Sequence, residues 1–399
     1  MRENLPAREG GAPVRSEFLP FARASIGPKE IASVVETLKS GWLTLGPRTR
    51  EFERVVAEYV GVRDAAGLHS CTAGLHLAMV VFGVGPGDDV VLPALNFAAG
   101  PNMVLHLGAR PVLADGDPKT LNVTAETLER AATDRTKVFM PVHFAGRPCD
   151  MPEIVDLAHA RGAKVLGDAA HAIGADQRGK KVGSRADATS FSFYVTKAIT
   201  TGEGGMVTAP DESVTTRIKR LSLHGMSSDA WKRYGERGPW YYEILEAGYK
   251  CNMSDIQAAL GLCQMERIDE FREARDRIAG IYRAGLAAED GITVPPTYTD
   301  GHHAWHLYPV QINLDVVRLS RDDFIRALVD ERVGVSVHFI PVHYHPFFSE
   351  RLGYARGAFP ATERYYERAV SLPIYPSMTD ADAADVVEAV TKLLRYYRR

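Results

Sequence analysis

Cysteine is scarce and scattered. Cys71, Cys149, Cys251 and Cys263 are the only four in 399 residues and include no C-x-x-C pair. That excludes a disulfide framework and a structural zinc site of the usual spacing, and it fits a reducing cytoplasm. Charge of one sign is lacking as well. Lys and Arg number 47 against 50 Asp and Glu, a formal charge of −3, with no basic block, so there is no electrostatic footprint for nucleic acid or a membrane surface. Long hydrophobic runs are also missing: the most apolar long segment, Pro93 to Ala109, is broken by Asn96, Pro101, Asn102 and His106, too interrupted to span a bilayer. The opening MRENLPAREGGAPVRSE is polar and rich in Pro and Gly. It reads as a flexible arm over residues 1–20, not as a signal peptide.

What is present is ordinary globular composition, 45% hydrophobic and 24% charged, in a length suggesting roughly two to three domains. Gly27-Pro28-Lys29-Glu30 opens a helix that Gly41 stops, and a second amphipathic helix covers Thr49 to Tyr59. Runs at Asp89–Pro93, Pro111–Ala114, Val138–Val142, Lys164–Gly167, Thr189–Phe193 and Met206–Ala209 read as strands. Ala125–Ala132, Met151–Arg161 and Ser213–Ser222 read as helices. Strand–helix alternation over this length predicts an α/β fold with a mostly parallel, doubly wound sheet. A long helix from the Lys250–Asp255 block, capped by Ser254 and running through Ala284, would join it to a smaller C-terminal α/β unit. That unit would contain strands at His306–Ile312 and Val335–Ile340, a helix at Arg321–Glu331 and a closing helix from Thr379. The domain boundaries expected are 21–265 and 266–399.

The chemistry gathers in Ala163–Gly205. Asp168 ends one buried run, Lys-Val-Leu-Gly-Asp. A second run, Ala-Thr-Ser-Phe-Ser-Phe, delivers Lys197 into a loop closing on Gly-Glu-Gly-Gly. Ligands of such sheets sit at the C-terminal ends of strands. An acid and an amine on two strand ends point to a carbonyl cofactor held by the amine and tuned by the carboxylate, which suggests pyridoxal phosphate. Ser70-Cys71-Thr72-Ala73-Gly74, just before an apolar helical run, offers a helix N-terminus to an anion, or a simple N-cap at Ser70 or Thr72. Phe97, just past a strand's C-terminal end, is placed either for the core or to stack on a flat ring. Gly83-Val-Gly-Pro-Gly-Asp88 follows a helix and precedes a strand, the wrong order for a dinucleotide turn. Tyr194 stands one residue too close to Lys197 for a Y-x-x-x-K dyad, so that reading is rejected as well. The loop from His224 through Trp231, Tyr234, Trp240 and Tyr241 to Tyr249 has the length of a functional or interface element. His338, His343 and His345 make a histidine-rich run in which a metal site is conceivable, with substrate lining or packing ahead of it.

Eight blocks in order, SIGPKEIASVVETLKSGWLTLGP, SCTAGLHLA, GDAAHAIGA, SFSFYVTKAITTGEGG, GYKCNMSDIQAALG, HAWHLYPVQI, HFIPVHYHPFF and SLPIYPSMTD, carry a family resemblance. The chain resembles the sugar aminotransferases of the DegT/DnrJ/StrS type, which are fold-type I, pyridoxal-phosphate-dependent enzymes. The resemblance implies that Lys197 holds the cofactor's carbonyl and shuttles the proton. Asp168 would pair with the pyridine nitrogen, and His171 would lie near the phenolic oxygen. Thr72, Ala73 and Ser192 would hold the phosphate, and Phe97 would stack on the ring. It also implies a homodimer whose phosphate shell is completed across the interface by an Asn. Asn252 is the only Asn in that block, while many members carry it two positions earlier, where this chain has Lys250. The implied reaction takes nitrogen from glutamate or glutamine, passes through pyridoxamine phosphate, and places it on a keto carbon of a dTDP- or UDP-linked deoxy sugar. C4 is favoured over C3, on the DAWKRY and PWYYE segments of the His224 loop. Trp42, Thr44, His224, His338 and His343 would line the sugar pocket, partly from the partner subunit. Relatives that replace the lysine with histidine are dehydratases; with Lys197 present, amino transfer is favoured. The readings from other classes are a metal-dependent sugar-modifying enzyme using the histidine run and a noncatalytic binding protein.

Overall fold

A computed structural model describes residues 5–227 and 241–399. Two helices, α1 (Pro28–Ser40) and α2 (Pro47–Val60), lead into β1 (Asp64–Leu68), α3 (Cys71–Val81), β2 (Asp89–Pro93), α4 (Ala99–His106), β3 (Arg110–Ala114), α5 (Ala125–Ala131) and β4 (Thr136–Phe139). Then come α6 (Met151–Ala160), β5 (Lys164–Asp168), a small hairpin of β6 (Asp176–Gln177) and β7 (Lys180–Lys181), β8 (Ala188–Ser192), β9 (Gly205–Ala209) and α7 (Glu212–Ser222). After α8 (Asp255–Met265) and α9 (Ile268–Leu286), the chain closes with β10 (Ile292–Thr293), β11 (Tyr308–Ile312), α10 (Arg321–Asp330), α11 (Pro346–Leu352), α12 (Pro360–Arg368), β12 (Ala369–Leu372) and α13 (Asp380–Tyr396).

Seven strands form one sheet in the order β1-β9-β8-β5-β4-β2-β3. The run from β8 to β3 is parallel, and β9 alone lies antiparallel to its neighbours β8 and β1. This is the expected mostly parallel α/β sheet. Helices cover both faces, so strands such as β2 and β8 are buried at every residue and read as continuous apolar or small runs without alternation. Leu75, Leu77 and Met79 of α3 pack on Val90, Leu92 and Val207 on one face. On the other, Phe52 and Val56 of α2 pack with Phe191, Phe193 and Ala258. Each such large side chain contributes about 1.5–3 kcal/mol of apolar burial. A smaller three-stranded antiparallel sheet, β10-β11-β12, carries the C-terminal unit, with α9 and α13 over it.

Four local expectations change. The stretch Asp64–Leu68 has no β-branched residue and gave no strand signal, yet it pairs with β9 along its whole length, from Asp64↔Ala209 to Leu68↔Gly205. The long helix expected through Ala284 is two. Backbone angles at Arg267 (φ −110°, ψ 7°) interrupt it, because α8 must follow α1 and α2 whereas α9 follows α13. Val335–Ile340 is not a strand: only Ser336 pairs, with Ser371, before the chain turns His338 and Phe339 inward. The arm expected to be flexible is stitched to the C-terminal unit from Ala7 onward. Ala7 and Val14 N–H groups each donate to the Glu331 carboxylate at 2.8 Å, Arg15 pairs with Asp382 and Asp385, and Leu19 is buried beside Val333. Glu331 is fully buried, so its carboxylate needs those donors and recruits the polar segment that supplies them. Among the described residues no helix is long and apolar enough to cross a membrane.

Candidate active site

Three chain ends meet at one edge of the sheet. β5 ends at Asp168, its neighbour β8 pairs Ser190 with Asp168, and β8 ends at Ser192, five residues before Lys197. The third is the start of α3. Ser70 caps it with an extended backbone (φ −163°), its hydroxyl accepting the Ala73 N–H at 3.1 Å. Close approach of strand to helix start depends on Gly205, where a Cβ would lie 2.3 Å from the Ser70 carbonyl carbon and 2.4 Å from Cys71 N. Absence of a side chain there lets the loop carrying Lys197 end directly against the first turn of α3.

Burial sets the electrostatics. Lys197 is half-buried, and burial pushes its ammonium down to about 8, with Cys71 and Asp168 pulling the other way. Asp168 is 5% exposed. Burial pushes its carboxyl up, opposed by the Ala170 N–H at 3.0 Å and by Lys197. Around the amine stand three imidazoles that burial keeps neutral, with the Lys197 charge adding to the effect. His171 and His306 lie well below the ordinary histidine value, and His338 is pushed down to about 4. The His171 ring lies 4.4 Å from His306 and 5.8 Å, stacked, from Phe339.

The structure gathers the principal residues expected from the sequence. Lys197 acts electrostatically on Asp168, His171 and His338, and Ser192 closes the strand between them. Phe97, 63% exposed, stands beyond the end of β2 with its ring 6.0 Å from Phe339. At α3 the Ala73 N–H is already taken by Ser70, so the N–H groups of Cys71 and Thr72 are the first-turn donors without an intrahelical acceptor. Asn252 pairs with Leu68 at the end of β1. Its side-chain oxygen accepts from the Lys250 ammonium, and its amide donates to the Met253 carbonyl at 2.9 Å. Trp42 donates through Nε1 to the Leu45 carbonyl at 3.2 Å, and Thr44 is exposed in the same loop. His224 is exposed in a left-handed conformation (φ 59°), its N–H on the Tyr249 carbonyl at 2.7 Å. Trp231, Tyr234 and Trp240 lie outside the described residues.

The histidine run does not converge. His338 bonds Ser371 Oγ at 2.9 Å, whereas His343, expected at the sugar, is turned to Glu363 at 3.0 Å and buried there. Glu363 also takes the Tyr344 hydroxyl at 2.7 Å and the Phe359 N–H at 3.1 Å, so His343 completes a structural carboxylate. No group of three His, Cys, Asp or Glu suited to a metal ion occurs among the described residues. Sequence reasoning gave no role to His306 or Phe339. Their blocks, HAWHLYPVQI and HFIPVHYHPFF, were noted, but contact with His171 depends on long-range folding that spacing does not encode.

The profile of the DegT/DnrJ/EryC1/StrS aminotransferase family matches residues 24–391. The chain belongs to this family. Its relatives include the spore coat polysaccharide biosynthesis protein SpsC of Bacillus subtilis, 48% identical over 96% of this chain and 98% of that one. An uncharacterized protein of Methanocaldococcus jannaschii is 49% identical over 96% and 99%. Among solved structures, a putative sugar aminotransferase from Streptococcus pneumoniae in its PMP form superposes with a TM-score of 0.89 at 32% identity, covering 95% of this chain and all of that one; it is also known in a PLP form. The fold is that of fold-type I aminotransferases, and the cofactor of this aminotransferase is pyridoxal phosphate.

The residues fit that group. The buried Nδ1 of His171 has no hydrogen-bond partner among the described residues, the first turn of α3 offers open N–H donors, and Asp168 is a buried carboxylate that a ring N–H would complement. Thr72, Ser192 and the Cys71 and Thr72 amides would hold the phosphate, Asp168 and His171 the ring's polar edge, and Phe97 one ring face. Pyridoxal phosphate supplies a carbonyl for the amine and an electron-poor ring for the electron pair left at a deprotonated carbon. Lys197 Nζ, with a depressed pKa, is the group here able to take and return a proton near neutrality.

Proposed function

We propose that this aminotransferase acts on sugars. It moves nitrogen from glutamate or glutamine to the keto carbon, C4, of a dTDP- or UDP-linked deoxy ketosugar, as a cytoplasmic homodimer with its site at the subunit interface. The observation that carries the reading is the convergence of Lys197, Asp168 and the open start of α3 in a chain of this family. Sugar chemistry is supported by the relatives, one named for spore coat polysaccharide biosynthesis and one as a putative sugar aminotransferase. C4 rests on the likeness of the DAWKRY and PWYYE segments to loops of 4-aminotransferases; most of that stretch lies outside the described residues. Four free, buried cysteines suit a reducing compartment.

In this reading Lys197 would hold the cofactor's carbonyl and, once freed, its amine would take and return the proton at the donor carbon and at the sugar carbon. Asp168 would face the ring nitrogen and favour its protonated form. Neutral His171, His306 and His338 place no second cation beside the Lys197 amine. A 3-keto sugar is the alternative acceptor. The metal-dependent reading loses support because His338 and His343 are committed to separate partners. The test is spectral. Protein converted to its pyridoxamine form with glutamate is mixed with nucleotide-linked 4-keto and 3-keto sugars. Return of the pyridoxal absorbance with a 4-keto sugar supports the proposal, a response to 3-keto sugars alone moves the position, and no response to any sugar refutes it.

A further inference from the structure

One buried carboxylate outside the reacting groups is placed where it controls the shape of the site. Asp255, the first residue of α8, is 1% exposed, and it meets a helix start, not a cation. Its Oδ1 accepts the Gly46 N–H at 2.8 Å, the Thr49 N–H at 2.9 Å and the Thr49 hydroxyl at 2.7 Å, and Oδ2 accepts the Arg48 N–H at 3.0 Å. Helix α2 has Gly46 at its N-cap and no capping side chain of its own. The negative charge its first turn favours therefore arrives from α8. The Asp255 N–H in turn donates to the Thr44 carbonyl at 3.0 Å. Gly46 is equally constrained: a Cβ there would lie 1.8 Å from Trp42 Nε1 and 2.7 Å from Asp255 Oδ2. Trp42, Thr44 and the start of α2 thus form one clamped unit.

The same helix holds the lysine loop. Gln257 Nε2 donates to the Glu203 carbonyl at 2.6 Å, an acceptor shared with the Thr201 hydroxyl at 2.6 Å. Two turns later Gln264 Oε1 accepts the Thr200 N–H at 3.4 Å. One rigid element therefore carries both the Trp42–Thr44 wall and the loop that presents Lys197.

We propose that Asp255 is a positioning residue for acceptor recognition. By clamping residues 44–49 it fixes Trp42 and Thr44 against the Lys197 loop, and the ketosugar is admitted only between them. This rests on the reading that Trp42 and Thr44 face the sugar. On this proposal the amino donor reaches Lys197 without engaging that wall, so the two half-reactions separate the effects. Asp255→Asn puts an amide N–H where a backbone donor must be accepted. It is expected to raise the KM for the ketosugar roughly tenfold, the order of one lost charge-assisted hydrogen bond, with kcat and the glutamate half-reaction changed less than about twofold. Gly46→Ala crowds Trp42 and the clamp while keeping the Asp255 carboxylate and its charge, and should give the same split, so the proposal does not depend on one variant folding. Gln257→Leu, which frees the Glu203 carbonyl instead, should slow both half-reactions. Amide hydrogen exchange at Gly46, Arg48 and Thr49 of Asp255→Asn should quicken in the loaded protein whether or not sugar is present. An unchanged ketosugar KM in both folded variants overturns the proposal, as does an equal fall in the two half-reactions. If the wild-type protein accepts no ketosugar, it is the function proposed above that fails, and that control is read first.

Discussion

The Lys197 amine offers a direct quantitative test of the site. Burial lowers it from the ordinary 10.5 to about 8. Only the neutral amine attacks a carbonyl, and the gap between those two values means roughly 300-fold more neutral amine at any pH below both. In cofactor-free protein, capture of pyridoxal at Lys197, trapped with borohydride and counted by peptide mass, should climb about tenfold per pH step up to 8 and then level. Asp168→Asn removes a charge that holds the ammonium, so levelling should begin at lower pH; because burial is the larger cause, the knee should move without disappearing. The linkage sign follows. The folded protein binds fewer protons here than the unfolded chain between about 8 and 10.5, so this group makes stability rise with pH across that window. Lys197→Met should therefore raise the melting temperature of cofactor-free protein below pH 8. A capture rate that keeps climbing past pH 9 as an ordinary lysine's would, or a melting temperature unmoved by Lys197→Met, refutes the assignment of a half-buried amine with a depressed pKa.

Further outcomes are expected. Lys197→Ala should retain the fold by circular dichroism and lose amino transfer by about 100- to 10,000-fold, the range for removal of a positioned acid–base group. Ser70→Ala removes the cap of α3 and should cost about 1 kcal/mol, visible as a lower denaturation midpoint and faster loss of pyridoxal phosphate on dialysis. Glu363, held down to about 2 despite its burial by the Tyr344 hydroxyl, the Gly357 and Phe359 N–H groups and His343, contributes stability that is complete above its ordinary 4.5 and lost as pH falls toward 2. Glu363→Gln should flatten that acid limb and cost about 1–3 kcal/mol at pH 7. If it raises the ketosugar KM instead, with stability intact, His343 belongs to the substrate after all.

Much of the site was legible because its chemistry is local. Lys-Val-Leu-Gly-Asp and Ala-Thr-Ser-Phe-Ser-Phe declare two strand ends, and Ser70 before an apolar helix declares an N-cap, which it is. Ser254 is the N-cap expected, and the structure adds a reciprocal bond from Gln257 three residues later. Other features are decided at a distance. β1 becomes a strand because β9 offers it a partner, not by its own propensity. Asp255 reads in sequence as one more acid in a helix's first turn, yet it caps a different helix over 200 residues earlier, since |i−j| is 209 for its bond to Gly46. His306 and Phe339 reach His171 only once the C-terminal unit docks. Pattern reasoning sees periodicity and caps; it does not see which buried charge will find which backbone.

The stitched N-terminal segment bears on how the chain acquires its shape during synthesis. Ala7 and Val14 are made well before their acceptor Glu331, which lies 324 and 317 residues further along. The Lys392 ammonium that completes that carboxylate at 3.0 Å comes later still. The seven strands of the large sheet are all made by Ala209, while the segment around Ala7 and Val14 waits for Glu331 and Lys392. At ordinary elongation rates of about 5–20 residues per second that wait lasts on the order of 15–75 seconds, a window in which a chaperone or a protease would meet those residues in extended form.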